Sequence, residues 1–274
     1  MLSASDHLLS RDGLHLFYRS WIPKDCKKIF CIIHGLGEHS GRYEHVATFL
    51  TQHKIGVFAL DLRGHGKSKG KKGHANKIEL LINDIEELLK KARSEYLDLP
   101  MYLFGHSMGG NLVANFMLQD DSKEVAGFIL STPWLRLQIK PSKWKMIFGG
   151  IMARYAPTFT VSNDINIDSI SKDKEEVRKY NEDPLVHDRI SAGLFKTISK
   201  GAEEASIGAN KISTSGLVYH GSGDQLISIE GSREFAKSNS LFEWHEIKNA
   251  FHEPHNDLEK EEVLTLILNW LDKH

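Results

Sequence analysis

The segment G-H-S-M-G at residues 105–109 places a serine between two glycines, where a strand-like run meets a helix-like run. The apolar run at residues 100–104 precedes it, and residues 111–118 follow it with a helical pattern. This arrangement is typical of a nucleophile elbow, in which Ser107 stands on a sharp turn and its neighbours must be small. A serine held in this way can attack a carbonyl carbon when a neighbouring base removes its proton. The segment therefore predicts acyl-transfer chemistry.

Two further segments supply the partners that a serine nucleophile needs. Asp224 follows the strand-like run 217–219 behind a glycine turn, and His252 lies in the loop between the strand-like run 242–247 and the last helix. The order serine, acid, histidine, each after a strand, accompanies this kind of elbow. Taken singly, Asp224 also fits an ordinary turn residue, and His252 a surface histidine, one of 15 in the chain. Taken together, they predict that His252 acts as general base and then general acid, while Asp224 orients it.

The negative charge that develops on the carbonyl oxygen requires two backbone N–H donors. Met108, the residue after the nucleophile, is predicted to supply one of them. The H-G-L-G segment at residues 34–37 follows a buried strand-like run, and Leu36 is predicted to supply the other. Because the main chain donates, a leucine side chain is compatible with this role.

Three other segments resemble binding motifs but lack a required residue. The G-K-S segment at 66–68 has Asp61 where a phosphate-binding loop has its first glycine. His245 and His252 each begin a zinc-protease pattern, but neither has a second histidine at the fifth position. A dinucleotide-binding glycine pattern is missing as well. We therefore expect no metal and no other cofactor.

The composition suits one large α/β domain or one domain with an insertion, with 274 residues, 41% of them hydrophobic and 26% charged. A formal net charge of -1 gives no electrostatic reason to bind nucleic acid. Two cysteines, Cys26 and Cys31, cannot form a disulfide framework. The N-terminus lacks a secretory-signal pattern, and no apolar run approaches the ~18 residues of a membrane-spanning helix. The sequence predicts a soluble, cytoplasmic protein without nucleic-acid or obligate protein partners.

Apolar strand-like runs alternate with helix-like stretches through most of the chain. Runs that are apolar throughout are typical of strands buried on both faces of a parallel sheet. The pattern predicts an α/β fold, a mostly parallel twisted sheet covered by helices, with an antiparallel hairpin at residues 11–18. The predicted strands are 29–33, 57–60, 101–104, 127–130, 217–219 and 242–247, and the predicted helices are 43–53, 77–96, 111–119 and 258–271.

This alternation is interrupted in the middle of the chain. We predict a core formed by residues 1–132 and 210–274, and an inserted lid at residues 133–209. Apolar residues in the insertion recur at three- and four-residue steps and form one helical face. That face packs on the sheet domain, or it covers the active site and contacts lipid or an acyl chain, and both can hold for different residues. The residues of this face are Trp144, Ile147, Phe148, Ile151, Met152 and Tyr155.

Together the motifs resemble the monoacylglycerol lipase and lysophospholipase branch of the serine α/β-hydrolases. The resemblance extends over nearly the whole chain, and the ten-residue segment H-G-L-G-E-H-S-G-R-Y is its most specific part. It implies an α/β-hydrolase fold without a cofactor, and hydrolysis of the ester bond of monoacylglycerol to fatty acid and glycerol through an acyl-enzyme. The matching segments are residues 34–43, 61–68, 105–109, 180–185, 221–224 and 251–252.

The resemblance also implies a glycerol-binding end. In this branch a glutamate, an arginine and a second histidine hold the headgroup, and the matching residues here are Glu38, Arg42 and His255. Tyr180 is similar to a residue near the lid and the headgroup end. Carboxylate, guanidinium and imidazole groups can together satisfy hydroxyls that both donate and accept. Alternatively, Glu38 and Arg42 form a local ion pair and His255 is a surface residue.

Two other functions remain open. The first is a lysophospholipase or a broad-specificity carboxylesterase that uses the same triad, although no dedicated site for a choline-phosphate headgroup is visible in the sequence. The second comes from another class, a non-catalytic α/β-hydrolase that serves as a receptor or scaffold. Such proteins usually lose a member of the triad, whereas this chain keeps all three.

Overall fold

The computed structural model describes residues 2–119, 122, 124–139 and 142–274, with the backbone alone for residues 143, 145 and 146. Within these residues, no helix combines the length and apolarity needed to cross a membrane. The strands are β1 (Leu2–Leu9), β2 (His15–Ile22), β3 (Lys28–Ile33), β4 (Ile55–Leu60), β5 (Met101–His106), β6 (Gly127–Ser131), β7 (Thr160–Ser162), β8 (Arg189–Ser191), β9 (Gly216–Gly221) and β10 (Phe242–Ile247). The α-helices are α1 (Glu44–Gln52), α2 (Ile78–Glu95), α3 (Met108–Phe116), α4 (Lys143–Tyr155), α5 (Lys174–Glu182), α6 (Ala192–Gly208), α7 (Ile229–Lys237) and α8 (Lys260–Lys273).

Eight of the strands form one sheet in the order β1-β2-β4-β3-β5-β6-β9-β10. β1 and β2 form an antiparallel hairpin, β2 runs antiparallel to β4, and the remaining neighbours are parallel. Every residue of β4, β5 and β6 is buried, which explains why their sequences are almost entirely apolar. The predicted α/β fold, with a mostly parallel sheet and an early antiparallel hairpin, is confirmed.

Helices cover both faces of this sheet. α1 and α8 pack on one face through side chains such as Leu50 and Ile267. α2, α3, α6 and α7 pack on the other face through side chains such as Ile85, Leu112 and Phe235. The buried residues of α2 recur at three- and four-residue steps, as its amphipathic sequence predicts. The spacing of apolar residues in the sequence does not predict α6 and α7, because glycines and charged residues interrupt the apolar faces of these two helices.

The inserted segment, residues 133–209, contains α4, the antiparallel β7–β8 pair, α5 and α6. α6 packs in the core, where Ile198 is buried and the Asn111 side chain of α3 donates to its carbonyl at 3.0 Å. α4 differs, since Trp144 is 66% exposed and Ile147 is 67% exposed. The apolar face of α4 is therefore not packed on the sheet, which removes one of the two alternatives for it. The division into a core and a lid at these boundaries stays a prediction.

Candidate active site

Ser107 lies in the turn between β5 and α3 with φ 51° and ψ -114°. A positive φ is strained for a residue with a side chain, so the surrounding structure must hold it in place. A Cβ atom at Gly105 would overlap the carbonyl oxygen of Gly109, and one at Gly109 would overlap that of Ile33. The two glycines are therefore required by the close approach of β3, β5 and α3. The Ser107 N–H donates to the Ser131 carbonyl at 3.0 Å, which anchors the turn to β6.

The structure brings Ser107, His252 and Asp224 together. Nε2 of His252 lies 3.0 Å from Oγ of Ser107, and Nδ1 of His252 lies 2.7 Å from Oδ2 of Asp224. Burial by itself would lower the pKa of His252, but the Asp224 carboxylate outweighs it and raises the pKa above its ordinary value. Burial would raise the pKa of Asp224, yet the two neighbouring imidazoles hold it well below its ordinary value. Asp224 is thus ionised, and neutral His252 can accept the serine proton.

The loop that carries His252 is held by buried polar groups. Oγ1 of Thr132 donates to the His252 carbonyl at 2.8 Å. The N–H of Phe251 donates to Oδ2 of Asp257 at 2.7 Å, and Oγ of Ser171 donates to Oδ1 of the same carboxylate at 3.1 Å. Asp257 is fully buried, so these bonds are shielded from water. Asp257 is a supporting residue that no sequence motif identifies.

One predicted oxyanion donor, Met108, follows Ser107 in the chain, and the other, Leu36, lies in a loop that borders the same cavity. Met108 is the first residue of α3, where the backbone N–H groups have no partner within the helix. Leu36 lies in the loop after β3 and lines the same cavity as Ser107. A Cβ atom at the preceding Gly35 would lie 3.3 Å from Cβ of Ser107, which shows how close this loop comes to the nucleophile. The role of the two N–H groups as oxyanion donors stays a prediction.

Ser107 opens into a cavity of about 1280 Å³. Small-molecule sites usually enclose roughly 300–1,000 Å³, so this cavity can hold a long ligand. Most of its wall is apolar, and α4 contributes part of that wall. Its apolar lining includes Leu36, Trp134, Leu137, Trp144, Phe148, Met152, Phe159, Ile170, Ile190, Phe195 and Leu226.

Two buried carboxylates share one guanidinium beside the predicted triad. Arg42 donates to both carboxylate oxygens of Glu253 at 2.7 Å and to Oε2 of Glu38 at 3.0 Å. The guanidinium carbon also lies 4.7 Å from the centre of the Tyr180 ring. Among the described residues, the cavity wall includes Glu38, Tyr180 and Glu253 but not Arg42. The alternative of a local Glu38–Arg42 ion pair thus has a structural basis, and Arg42 lies behind the groups that a ligand would touch.

The charges of this cluster do not balance when every group is ionised. Burial, reinforced by the Glu253 charge and opposed by Arg42, raises the pKa of Glu38 to about 7. Burial also opposes ionisation of Glu253, but the paired Arg42 guanidinium dominates and lowers the pKa of Glu253. Glu253 is therefore the more readily ionised member of the pair, and Glu38 holds its proton more strongly than an ordinary carboxyl group. A carboxyl group that keeps its proton can donate to a ligand hydroxyl, whereas an ionised one can only accept.

His255 is fully buried, which excludes the alternative of a surface histidine. Its ring stacks on Tyr43 at 5.0 Å and meets the edge of the His106 ring at 4.8 Å. Burial lowers the pKa of His255 to about 3, so the ring is neutral. Neither ring nitrogen has a hydrogen-bond partner within the described part of the chain. The residue does not line the described cavity, and its role as a glycerol ligand stays a prediction.

No sequence motif identifies Glu253 as a site residue, although this glutamate directly follows His252. A glutamate in a loop gives no local indication that it is buried. The burial of Glu253 accompanies its pairing with Arg42, which is 211 positions away in the sequence. Glu38, His106 and Glu253 also bring ligand-type atoms within 4.8 Å of one another, as in some metal sites. The Arg42 guanidinium already binds both carboxylates, so its positive charge opposes a cation at this place.

The order of the sheet, the elbow and the serine–histidine–aspartate arrangement together define an α/β-hydrolase. The model of the serine aminopeptidase S33 family matches residues 24–259, and the chain belongs to this family. This match extends over the predicted core and the inserted segment alike.

Similar proteins narrow the class further. An uncharacterized abhydrolase domain-containing protein of Dictyostelium discoideum is 36% identical over 99% of this chain, which spans 29% of that protein's length. The monoacylglycerol lipase of Mycolicibacterium smegmatis is 30% identical, covering 96% of this chain and 94% of the relative. The crystal structure of Paleococcus ferrophilus monoacylglycerol lipase matches with a TM-score of 0.84 and 32% identity, covering 93% of this chain and 98% of that one. The resemblance to the monoacylglycerol lipase branch is confirmed, as is the predicted class of carboxylic ester hydrolase.

Proposed function

We propose that the protein hydrolyses monoacylglycerol to a fatty acid and glycerol through an acyl-enzyme on Ser107. The observation that carries the proposal is the hydrogen-bonded series Ser107–His252–Asp224, with distances of 3.0 and 2.7 Å, beside a mainly apolar cavity. The names of the Mycolicibacterium and Paleococcus relatives support the same substrate.

In the first half of the reaction, His252 removes the proton of Ser107, and Oγ attacks the ester carbonyl carbon. Backbone N–H groups of Leu36 and Met108 stabilise the tetrahedral oxyanion, each by roughly 3 kcal/mol in comparable enzymes. His252 then gives the proton to the departing glycerol oxygen. In the second half, water attacks the acyl-enzyme by the same route and releases the fatty acid. Asp224 stays ionised throughout and stabilises the imidazolium.

The glycerol headgroup is proposed to lie against Glu38 and Tyr180. Both line the cavity, and Oε1 of Glu38 accepts from the N–H of Gly35 at 2.6 Å, in the loop that borders Ser107. Arg42 acts from behind by holding Glu38 and Glu253 in place. A phosphate-bearing headgroup would meet two acidic side chains here, which favours neutral glycerol over a lysophospholipid.

A turnover panel tests this proposal directly. Monoacylglycerols of several chain lengths, lysophosphatidylcholine and 4-nitrophenyl butyrate would be compared by kcat/KM, with the Ser107→Ala protein as the blank. We expect a monoacylglycerol to give the highest value. A preference for lysophosphatidylcholine would instead support the lysophospholipase, and uniform values would support a broad carboxylesterase.

The Glu38→Gln substitution should separate headgroup binding from chemistry. We expect kcat/KM for monoacylglycerol to fall roughly 10-fold or more, because a hydrogen bond to a charged group contributes about 1.5–3 kcal/mol. Turnover of 4-nitrophenyl butyrate, which has no glycerol, should change far less. Glu243→Gln, an exposed glutamate on β10, is the matched control. Equal losses on both substrates would show that Glu38 supports the structure only.

We also propose that the inserted segment acts as a lid whose α4 helix touches membrane lipid. The apolar side chains of α4 form two groups. Trp144, Phe148 and Met152 line the cavity. Ile147 and Ile151 do not line it and are 67% and 51% exposed. An exposed apolar group next to a cavity mouth fits a surface that receives a lipid substrate from a bilayer.

The double variant Ile147→Asp, Ile151→Asp tests this contact. Its binding to phosphatidylcholine vesicles, measured by co-sedimentation, should fall roughly 10-fold or more, because burial of each isoleucine contributes about 1.5–3 kcal/mol. Turnover of soluble 4-nitrophenyl butyrate should stay near the wild-type value. Ile207→Asp is the matched control, since Ile207 is 70% exposed but lies on α6. The same loss of binding in the control would contradict a specific role for α4.

A further inference from the structure

The predicted catalytic acid contacts a second histidine. We propose that His220 is a positioning residue, which fixes the Asp224 carboxylate through the same oxygen that His252 contacts. This inference rests on the triad of the proposed function. Nε2 of His220 lies 3.1 Å from Oδ2 of Asp224, and both side chains are fully buried.

The surroundings of His220 determine where its proton lies. Nε2 faces two oxygen acceptors, Oδ2 of Asp224 and the Ile227 carbonyl at 3.3 Å. Nδ1 lies 2.8 Å from Oγ of Ser232, a buried residue of α7. Because an ionised carboxylate and a carbonyl can only accept, Nε2 carries the proton and donates it. Nδ1 then accepts from the Ser232 hydroxyl, which can donate. The two acceptors at Nε2 determine this tautomer, and the Ser232 hydroxyl is compatible with it and holds the ring in place.

This contact completes the hydrogen bonding of the Asp224 carboxylate. Oδ1 accepts from the backbone N–H groups of Leu226 at 2.8 Å and Ile227 at 3.1 Å. Oδ2 accepts from Nδ1 of His252 at 2.7 Å and from Nε2 of His220. With both oxygens bound from two directions, the carboxylate cannot rotate without breaking bonds in a buried site. The orientation of His252 depends on that fixed carboxylate.

The contact also sets how strongly Asp224 attracts the proton of His252. The Nε2–H donor of His220 draws off part of the negative charge, so its removal should leave a carboxylate that stabilises the imidazolium more. The other titratable groups near His252 are His106, whose ring lies 4.9 Å away, and the acids Glu38 and Glu253. Arg42 binds those two acids. In the described contacts, His220 touches none of these groups, so its effect on His252 passes through Asp224.

The test uses His220→Leu, which removes the donor, and His220→Gln, whose amide nitrogen can donate from a similar position. The substrate is 4-nitrophenyl butyrate, so the result does not depend on the headgroup. For His220→Leu we expect kcat to fall roughly 10-fold or more with little change in KM, as for loss of a hydrogen bond to a charged group. Because the base must be unprotonated, activity falls as the pH drops through the pKa of His252. In His220→Leu this acid limb of the pH–activity profile should move to higher pH. His220→Gln should restore most of kcat and the original limb.

Two further variants keep the outcome decisive. Ser232→Ala removes the hydroxyl that binds Nδ1 of His220 and should give a smaller loss in the same direction. If His220→Leu does not fold, as judged by thermal unfolding, the comparison of His220→Gln with Ser232→Ala takes its place. The inference would be overturned if the acid limb does not move and the leucine and glutamine variants lose kcat equally. Wild-type kcat in all variants would overturn it as well. Full activity of Ser107→Ala would overturn the triad itself, whereas a wild-type enzyme that cleaves only the nitrophenyl ester would overturn the substrate alone.

Discussion

Replacement of Ser107 by alanine should reduce kcat for ester hydrolysis by roughly 10⁴-fold or more, as loss of the nucleophile does in other serine hydrolases. Oγ of Ser107 is the atom that His252 faces at 3.0 Å, and an acyl-enzyme cannot form without it. Steady-state kinetics on monoacylglycerol and on 4-nitrophenyl butyrate would measure the loss. Ser206→Ala, at an exposed position of α6, is the matched control and should be as active as the wild type.

A fluorophosphonate probe gives a second measurement of the same prediction. The wild-type protein should be labelled covalently at Ser107, and the alanine variant should not. A wild-type protein that neither reacts with the probe nor turns over any ester would favour the binding-protein alternative. Residual turnover in the alanine variant within about 10-fold of the wild type would show that another group performs the attack, because loss of a true nucleophile has a far larger effect.

Replacement of Arg42 by leucine should lower the free energy of unfolding by about 3–5 kcal/mol, the usual effect of breaking a buried ion pair. The substitution removes the counter-charge of Glu253 and Glu38, whose side chains are 4% and 2% exposed. Two carboxylates would then share a buried site without a cation. Urea unfolding at neutral pH would measure the change. Arg178→Leu, which removes only exposed ion pairs on α5, should stay close to the wild type.

The origin of this effect can be checked by adding Glu253→Gln to the Arg42→Leu protein. The second substitution removes the negative charge that lost its partner, so it should recover a large part of the stability. Glu253→Gln alone should destabilise the protein, because Arg42 then keeps only Glu38. If the two effects simply add, the charges are not coupled, and the loss in the arginine variant would reflect packing instead.

Local signals in the sequence determined the fold class. The strands at the centre of the sheet are buried on both faces, and a doubly buried strand must be apolar along its length, so each can be read from its own residues. The elbow can also be read locally, because two glycines and a serine stand within five consecutive residues between a strand and a helix, although the contact that requires Gly109 is with β3. Asp224 and His252 could be predicted because each follows a recognisable strand, although their roles await the experiments above.

Only the tertiary structure decided how the polar residues pair. Arg42 and Glu253 are 211 positions apart, and nothing in either neighbourhood indicates that they share a buried site. His220 lies only four residues before the predicted acid, yet its contact with that acid depends on the turn after β9 and on Ser232 in α7. The exposure of the α4 face was equally undetermined, since the same apolar periodicity suits a packed helix and a lid. The physical reason is common to all of these cases. Strand and turn formation depends on neighbouring residues, whereas the burial and pairing of charges depend on which distant segments the fold brings into contact.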